Sequence, residues 1–154
     1  MDNHNFYDSA VESELQKNGV YASVTKGVSM FPLFKTNRDM IILKKIDEEP
    51  KRLDVVLYRS GSGKYLLHRI VKVLPDHYVI RGDNTYTPEN VGKNEIIAIL
   101  TEFNRKGKRR SVDHVGYRVY SSVWTFIYPL RYLFRKVRGI AGRVYRRMFK
   151  KKSS

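Results

Sequence analysis

Apolar and polar positions follow two different periods along this chain, and the change between them divides it. Over residues 6–18, Phe6, Ala10, Val11 and Leu15 fall on one helical face, Glu12 and Glu14 face outward, and Gly19 follows as a C-cap. A short amphipathic helix is predicted there. From Val20 the period becomes two, and Val, Ile, Leu and Tyr dominate the alternating positions. Strands are predicted at 20–25, 39–46, 53–59, 65–74, 77–81 and 95–103. Arg59-Ser60-Gly61-Ser62-Gly63 and Pro75-Asp76 supply the turn chemistry between them.

A third pattern begins near residue 115. Val119, Val123, Trp124, Phe126, Ile127 and Leu130 start an apolar band that continues through Leu133 and Phe134, is interrupted by Pro129 and is followed by arginines. The apolar stretch between Arg118 and Arg131 is 12 residues long, against the roughly 20 that a bilayer-spanning helix needs. Trp124, the tyrosines and the basic flank suit a helix lying in a membrane interface. A helix docked on the rest of the protein would carry the same band.

Charge reinforces this division. Residues 1–103 hold 14 Lys and Arg against 14 Asp and Glu, whereas residues 104–154 hold 16 Lys and Arg against Asp113 alone. The whole formal charge of +15 therefore belongs to the C-terminal third. The expected organisation is an N-terminal helix at 1–19, a β-rich domain at 20–112 and a basic amphipathic extension at 113–154. An anionic membrane surface is the partner expected for 113–154, ahead of nucleic acid. The expected location is peripheral, on the cytoplasmic face of the cytoplasmic membrane, with anchoring through residues 115–134 as the alternative.

The chain has no cysteine, which excludes disulfides, thiolate catalysis and cysteine zinc sites. His4, His68, His77 and His114 lack metal-ligand spacing, so neither a metal nor another cofactor is expected. Gly61-Ser62-Gly63-Lys64 lacks phosphate-loop spacing and reads as a hairpin turn. The first 19 residues have neither the apolar core nor the basic start of a signal peptide.

Within the β-rich part, a hydroxyl, an imidazole and a carboxylate occur in order on distinctive short motifs. Ser29 lies in Lys26-Gly27-Val28-Ser29-Met30-Phe31-Pro32, His68 in Leu66-Leu67-His68-Arg69-Ile70, and Asp83 in Arg81-Gly82-Asp83-Asn84. Serine needs a base to take its proton, and an imidazole base works best when a third group orients it. Same-face neighbours Leu66 and Ile70 put His68 in apolar surroundings, which favour a neutral imidazole.

The ordered motifs, over roughly residues 24–103, resemble the signal-peptidase branch of serine peptidases, in particular the endoplasmic-reticulum and archaeal type that uses histidine as base. Ser29-Met30-Phe31-Pro32 matches the family's Ser-Met-x-Pro. Leu53-Asp54-Val55-Val56 matches its Gly-Asp-Val-Val strand except at Leu53. His68-Arg69 and Gly82-Asp83-Asn84 match the remaining two. The resemblance implies Ser29 as nucleophile, His68 as general base, and Met30 and Pro32 as part of the substrate site. It also implies either Asp83 or Glu89, six residues further on, as the group that orients His68. Gly27 stands where bacterial members carry an oxyanion-stabilising serine, and Val28 stands where glycine is usual.

The resemblance further implies a mainly β fold, a coiled and barrel-like antiparallel sheet. It implies a serine endopeptidase acting on a peptide or protein substrate, a leader peptide with small side chains beside the cleaved bond. The rival readings are a self-cleaving module and a non-catalytic module of peptidase fold whose basic tail binds anionic membrane or nucleic acid.

Overall fold

The structure is a computed structural model. It describes residues 10–150, with side chains described through residue 140. Helix α1 (Ala10–Asn18) buries Val11 and Leu15. Phe6 and His4 lie outside the described residues.

Eight strands follow: β1 (Val20–Val24), β2 (Met40–Lys45), β3 (Val55–Arg59), β4 (Tyr65–Val73), β5 (His77–Arg81), β6 (Glu89–Gly92), β7 (Ile96–Arg105) and β8 (Lys108–Ser111). They form one antiparallel sheet in the order β1-β2-β7-β3-β4-β5-β6, with β8 added beside β7. The mainly β class expected from the period-two pattern is present. The sheet is not closed into a barrel, because the hydrogen-bonded path ends at β1 and β6.

Apolar clusters cover both faces of the sheet. Val55 and Leu57 join α1, Met30, Phe34, Leu43 and Phe103 on one side. Val56 and Tyr58 join Ile70, Tyr78, Ile80 and Val91 on the other. Successive strand residues point to opposite faces, so a central strand covered on both sides reads as an unbroken apolar run, as Val55-Val56-Leu57-Tyr58 does.

Two strands carry no clear apolar signal. β8 reads Lys-Arg-Arg-Ser, but the two-residue turn Lys106-Gly107 has positive φ at both positions, the geometry that matches strand twist in a hairpin. Arg109 pairs with Glu102 across it. β6 is a four-residue edge strand with only Val91 buried.

The C-terminal residues form α2 (Val115–Phe126) and α3 (Tyr128–Lys150). The break falls at Ile127, and Pro129 sits in the first turn of α3, where a missing N–H costs nothing. Tyr117 and Ser121 of α2 are buried, and Tyr117 belongs to the core cluster with Phe103. Helix α2 is thus part of the packed β-rich unit. Trp124 is held there too: its ring stacks on Tyr120 at 5.8 Å and its Nε1 donates to the Asp83 carbonyl. No described helix is long and apolar enough to cross a membrane.

Candidate active site

The loop between β1 and β2 carries Ser29. Its base is closed by Thr25 and Asp39: the Thr25 amide donates to the Asp39 carbonyl at 2.8 Å, and Thr25 Oγ1 donates to the Lys35 carbonyl. The Asp39 carboxylate is fully buried and accepts from Arg38 and from the Lys35 amide. Burial pushes its pKa up, but the Arg38 guanidinium and the Lys35 and Lys106 amides outweigh it and hold the group below the usual carboxylate range.

Ser29 is half-buried at the head of a run of turns. The left-handed conformation beside Ser29 falls on Gly27, at φ +72°, which leaves Val28 free of a strain that β-branched residues tolerate poorly; the loop's other left-handed residue is Asn37. Met30 packs into the core, which pins the turn from beneath, and Pro32 is half-buried beside it. Val28 and Phe31 instead stand out into solvent, 64% and 52% exposed. These two are the exposed apolar neighbours of Ser29, and the sequence motifs gave neither of them a role.

His68 lies on β4 opposite Val56, and Tyr58 is its diagonal neighbour across the hairpin. The Tyr58 hydroxyl is 3.0 Å from His68 Nδ1. Glu89 Oε1 is 3.6 Å from the same nitrogen. The sheet explains how Glu89 reaches it. Glu89 stands opposite Ile80, and Ile80 opposite Ile70, two residues along β4 from His68, so all four share one face. His68 is buried while the Glu89 side chain is 41% exposed at the sheet edge. Burial, and next the Glu89 carboxylate, push the Tyr58 phenol well above its ordinary pKa, so this hydroxyl keeps its proton.

Asp83 serves the other face. His68 and Arg69 are adjacent on β4 and point to opposite sides. Arg69, 1% exposed, binds Asp83 through a two-pronged pair, Nε to Oδ1 and Nη2 to Oδ2, both 2.8 Å. Tyr120 donates its hydroxyl to Asp83 Oδ2 at 3.0 Å. Arg69 Nη1 donates to the Leu53 carbonyl, Ser121 Oγ and Tyr117 oxygen. Burial opposes the arginine's charge, but Asp83 outweighs it and the guanidinium pKa is raised. Of the two acids proposed to orient His68, the structure brings Glu89 to Nδ1 and commits the Asp83 carboxylate to Arg69. Leu53, where the motif has glycine, takes φ +80°, and its carbonyl receives Arg69.

The segment Gly82-Asp83-Asn84 joins the two sides. Asn84 N donates to the Ser29 carbonyl at 2.7 Å, and Asn84 Nδ2 to the Val28 carbonyl. A β-carbon on Gly82 would lie 2.7 Å from the Ser29 carbonyl oxygen and 3.1 Å from His68 Cδ2. The serine turn and the imidazole edge that carries Nε2 therefore close on the same glycine. Gly82→Ala is expected to force the Ser29 turn away from His68. Ser29 reactivity toward a soluble acylating probe is expected to fall at least about tenfold, the scale on which small misplacements act. Unchanged reactivity would show that the close approach is not needed.

Among the described residues, no group of three or more His, Asp or Glu is arranged to hold a metal ion. No protein-family model matches the chain, and no curated protein matches it significantly.

Proposed function

We propose that this protein is a serine endopeptidase resembling a signal peptidase of the histidine type, with Ser29, His68 and Glu89 as its working groups and Tyr58 as a positioning residue. The observation that carries the reading is the double hold on His68. Its Nδ1 edge meets Tyr58 and Glu89, while its Cδ2, the atom beside Nε2, lies against Gly82, on which the Ser29 carbonyl also closes.

For Nε2 to accept a proton, Nδ1 must carry hydrogen. That hydrogen points to the Tyr58 oxygen, and Tyr58, which keeps its own proton, donates onward to Glu89. When Ser29 Oγ attacks the peptide carbonyl, Nε2 takes the hydroxyl proton and the imidazolium is stabilised by the Glu89 charge. Backbone amides of the Ser29 turn hold the oxyanion. The imidazolium then protonates the leaving amine; water, deprotonated by Nε2, attacks the acyl-serine ester, and the imidazolium returns that proton to Ser29 Oγ as the C–O bond breaks and the acid leaves. The substrate class is a leader peptide with small side chains beside the cleaved bond, and Val28 and Phe31 offer it an apolar contact.

Removing the acid tests the role assignment. Hydrolysis of a leader-like peptide is expected to fall on the order of a hundredfold or more in Glu89→Gln, in line with the loss from disrupting a triad carboxylate. Tyr58→Phe, which loses the bridging hydroxyl and keeps the ring, is expected to lower kcat about tenfold with KM unchanged and to move the acid limb of the kcat/KM profile. A merely structural tyrosine would leave that limb in place. Full hydrolysis by Glu89→Gln would remove Glu89 from the mechanism.

A further inference from the structure

We propose that the bare apolar stripes of α2 and α3, with the arginines that border them, dock this protein on an anionic lipid bilayer. The proposal concerns a surface, not the peptidase chemistry, and can stand or fall without it.

Helix α2 has two apolar faces. Tyr117, Ser121 and Trp124 point to the sheet. Val115, Val119, Val123 and Phe126, spaced by four, four and three, form the opposite stripe, and all are at least half exposed, Phe126 at 83%. Along α3, Leu130, Leu133, Phe134 and Val137 repeat the pattern and are also exposed. Apolar side chains scattered singly on a surface need no explanation, but contiguous stripes on two successive helices do.

Charge selects the occupant. Residues 114–154 contain no Asp or Glu. Arg131, Arg135 and Arg138 border the apolar groove that holds Leu130 and Phe134. Arg131 lies 3.7 Å over the Trp124 ring and Arg135 4.3 Å over the Tyr86 ring, which fixes the guanidinium groups at the groove rim. A second copy of the chain would bring two sets of cations together. Nucleic acid would engage the arginines and leave the stripes in water. A bilayer covers both, taking apolar side chains at the acyl boundary and arginines at the phosphates.

The opposite faces of these helices are tied to the segment that follows β5, which keeps the stripes turned outward. Trp124 Nε1 and Arg131 Nη2 each donate to the Asp83 carbonyl at 2.9 Å, Tyr128 donates to the Tyr86 carbonyl, and Asn84 N donates to the Ser29 carbonyl.

Co-sedimentation of the full chain with vesicles provides the test. Vesicles of phosphatidylcholine alone are compared with vesicles that also contain phosphatidylglycerol, at low and at physiological salt. Binding is expected to the anionic vesicles, weakened by salt. Leu130→Asp with Phe134→Asp is expected to weaken it more than about tenfold, and Arg135→Gln with Arg138→Gln by about fivefold per charge. All four side chains lie outside the proposed catalytic groups, so Ser29 stays as reactive toward a soluble probe as in the parent. That reactivity separates failed docking from a failed peptidase reading. The proposal is overturned if the full chain ignores anionic vesicles at low salt, or if the aspartate variant binds as well as the parent. It is equally overturned if light scattering shows a dimer that the aspartate variant abolishes, or if duplex DNA outcompetes the vesicles.

Discussion

Ser29→Ala is expected to remove peptide hydrolysis, a loss of at least about a thousandfold, while the protein keeps its melting temperature. The serine turn is fastened by the Asn84 amide and side chain, which donate to the Ser29 and Val28 carbonyls, and by burial of Met30, and the Thr25–Asp39 closure holds the base of the loop. None of these uses the Ser29 hydroxyl, so its removal costs no more than the roughly 0.5 kcal/mol typical of substitutions away from structural features. His68→Ala is expected to cost about as much activity, and the double variant little more than either single change, because groups that act as one unit are strongly non-additive. Normal turnover by Ser29→Ala would end the assignment. Normal turnover by His68→Ala would move the base elsewhere, with Lys64, Lys72 and His77 next to be tested.

Asp83→Ala is expected to produce the largest loss of stability, about 3–5 kcal/mol. The substitution leaves the Arg69 guanidinium, 1% exposed, without the carboxylate that offsets its desolvation. A deficit of that size corresponds to a fall in Tm on the order of 10–20 °C for a domain of this length. Replacing the pair together, Arg69→Met with Asp83→Leu, is expected to be milder than Asp83→Ala, because no buried charge is then left unpaired. The reading for this prediction is thermal unfolding followed by circular dichroism. A Tm within a few degrees of the parent would show that Asp83 is not the partner that keeps Arg69 buried. Asp83→Ala is also expected to reduce activity, but through unfolding and through the adjoining Asn84 contact with the serine turn.

The same network shows how far the sequence reached. The six apolar strands were legible because Val, Ile, Leu and Tyr enrichment, alternating or, in β3, unbroken, agrees with the turn residues, whereas β6 and β8 escaped because an edge strand and a charged hairpin arm owe their pairing to register and ion pairs. Ser29, His68 and Glu89 were all visible as candidates. The choice between Glu89 and Asp83 was not, since it depends on which face of β4 each acid meets across two intervening strand pairings. Tyr58 carried a weak signal: the turn at 60–63 sets the hairpin register that puts it diagonal to His68. Across the expected boundary at 112/113, Arg69 donates hydrogen bonds to Tyr117 and Ser121. A chain cut there would strip a buried arginine of partners. The sequence left Trp124 open between an interfacial helix and a docked one, because its hydrogen bond to Asp83 and its stacking on Tyr120 are long-range facts that no local pattern contains.

Whether Ser29 is a nucleophile activated by His68 can be measured without knowledge of the substrate. The purified full chain is treated with a phosphonate probe that phosphonylates activated serines, and the modified peptide is identified by mass spectrometry. One adduct is expected, on Ser29, formed rapidly in the parent, slowly in Glu89→Gln, and not in His68→Ala. No adduct on Ser29 in the folded parent, or one formed equally well without His68, would contradict that assignment.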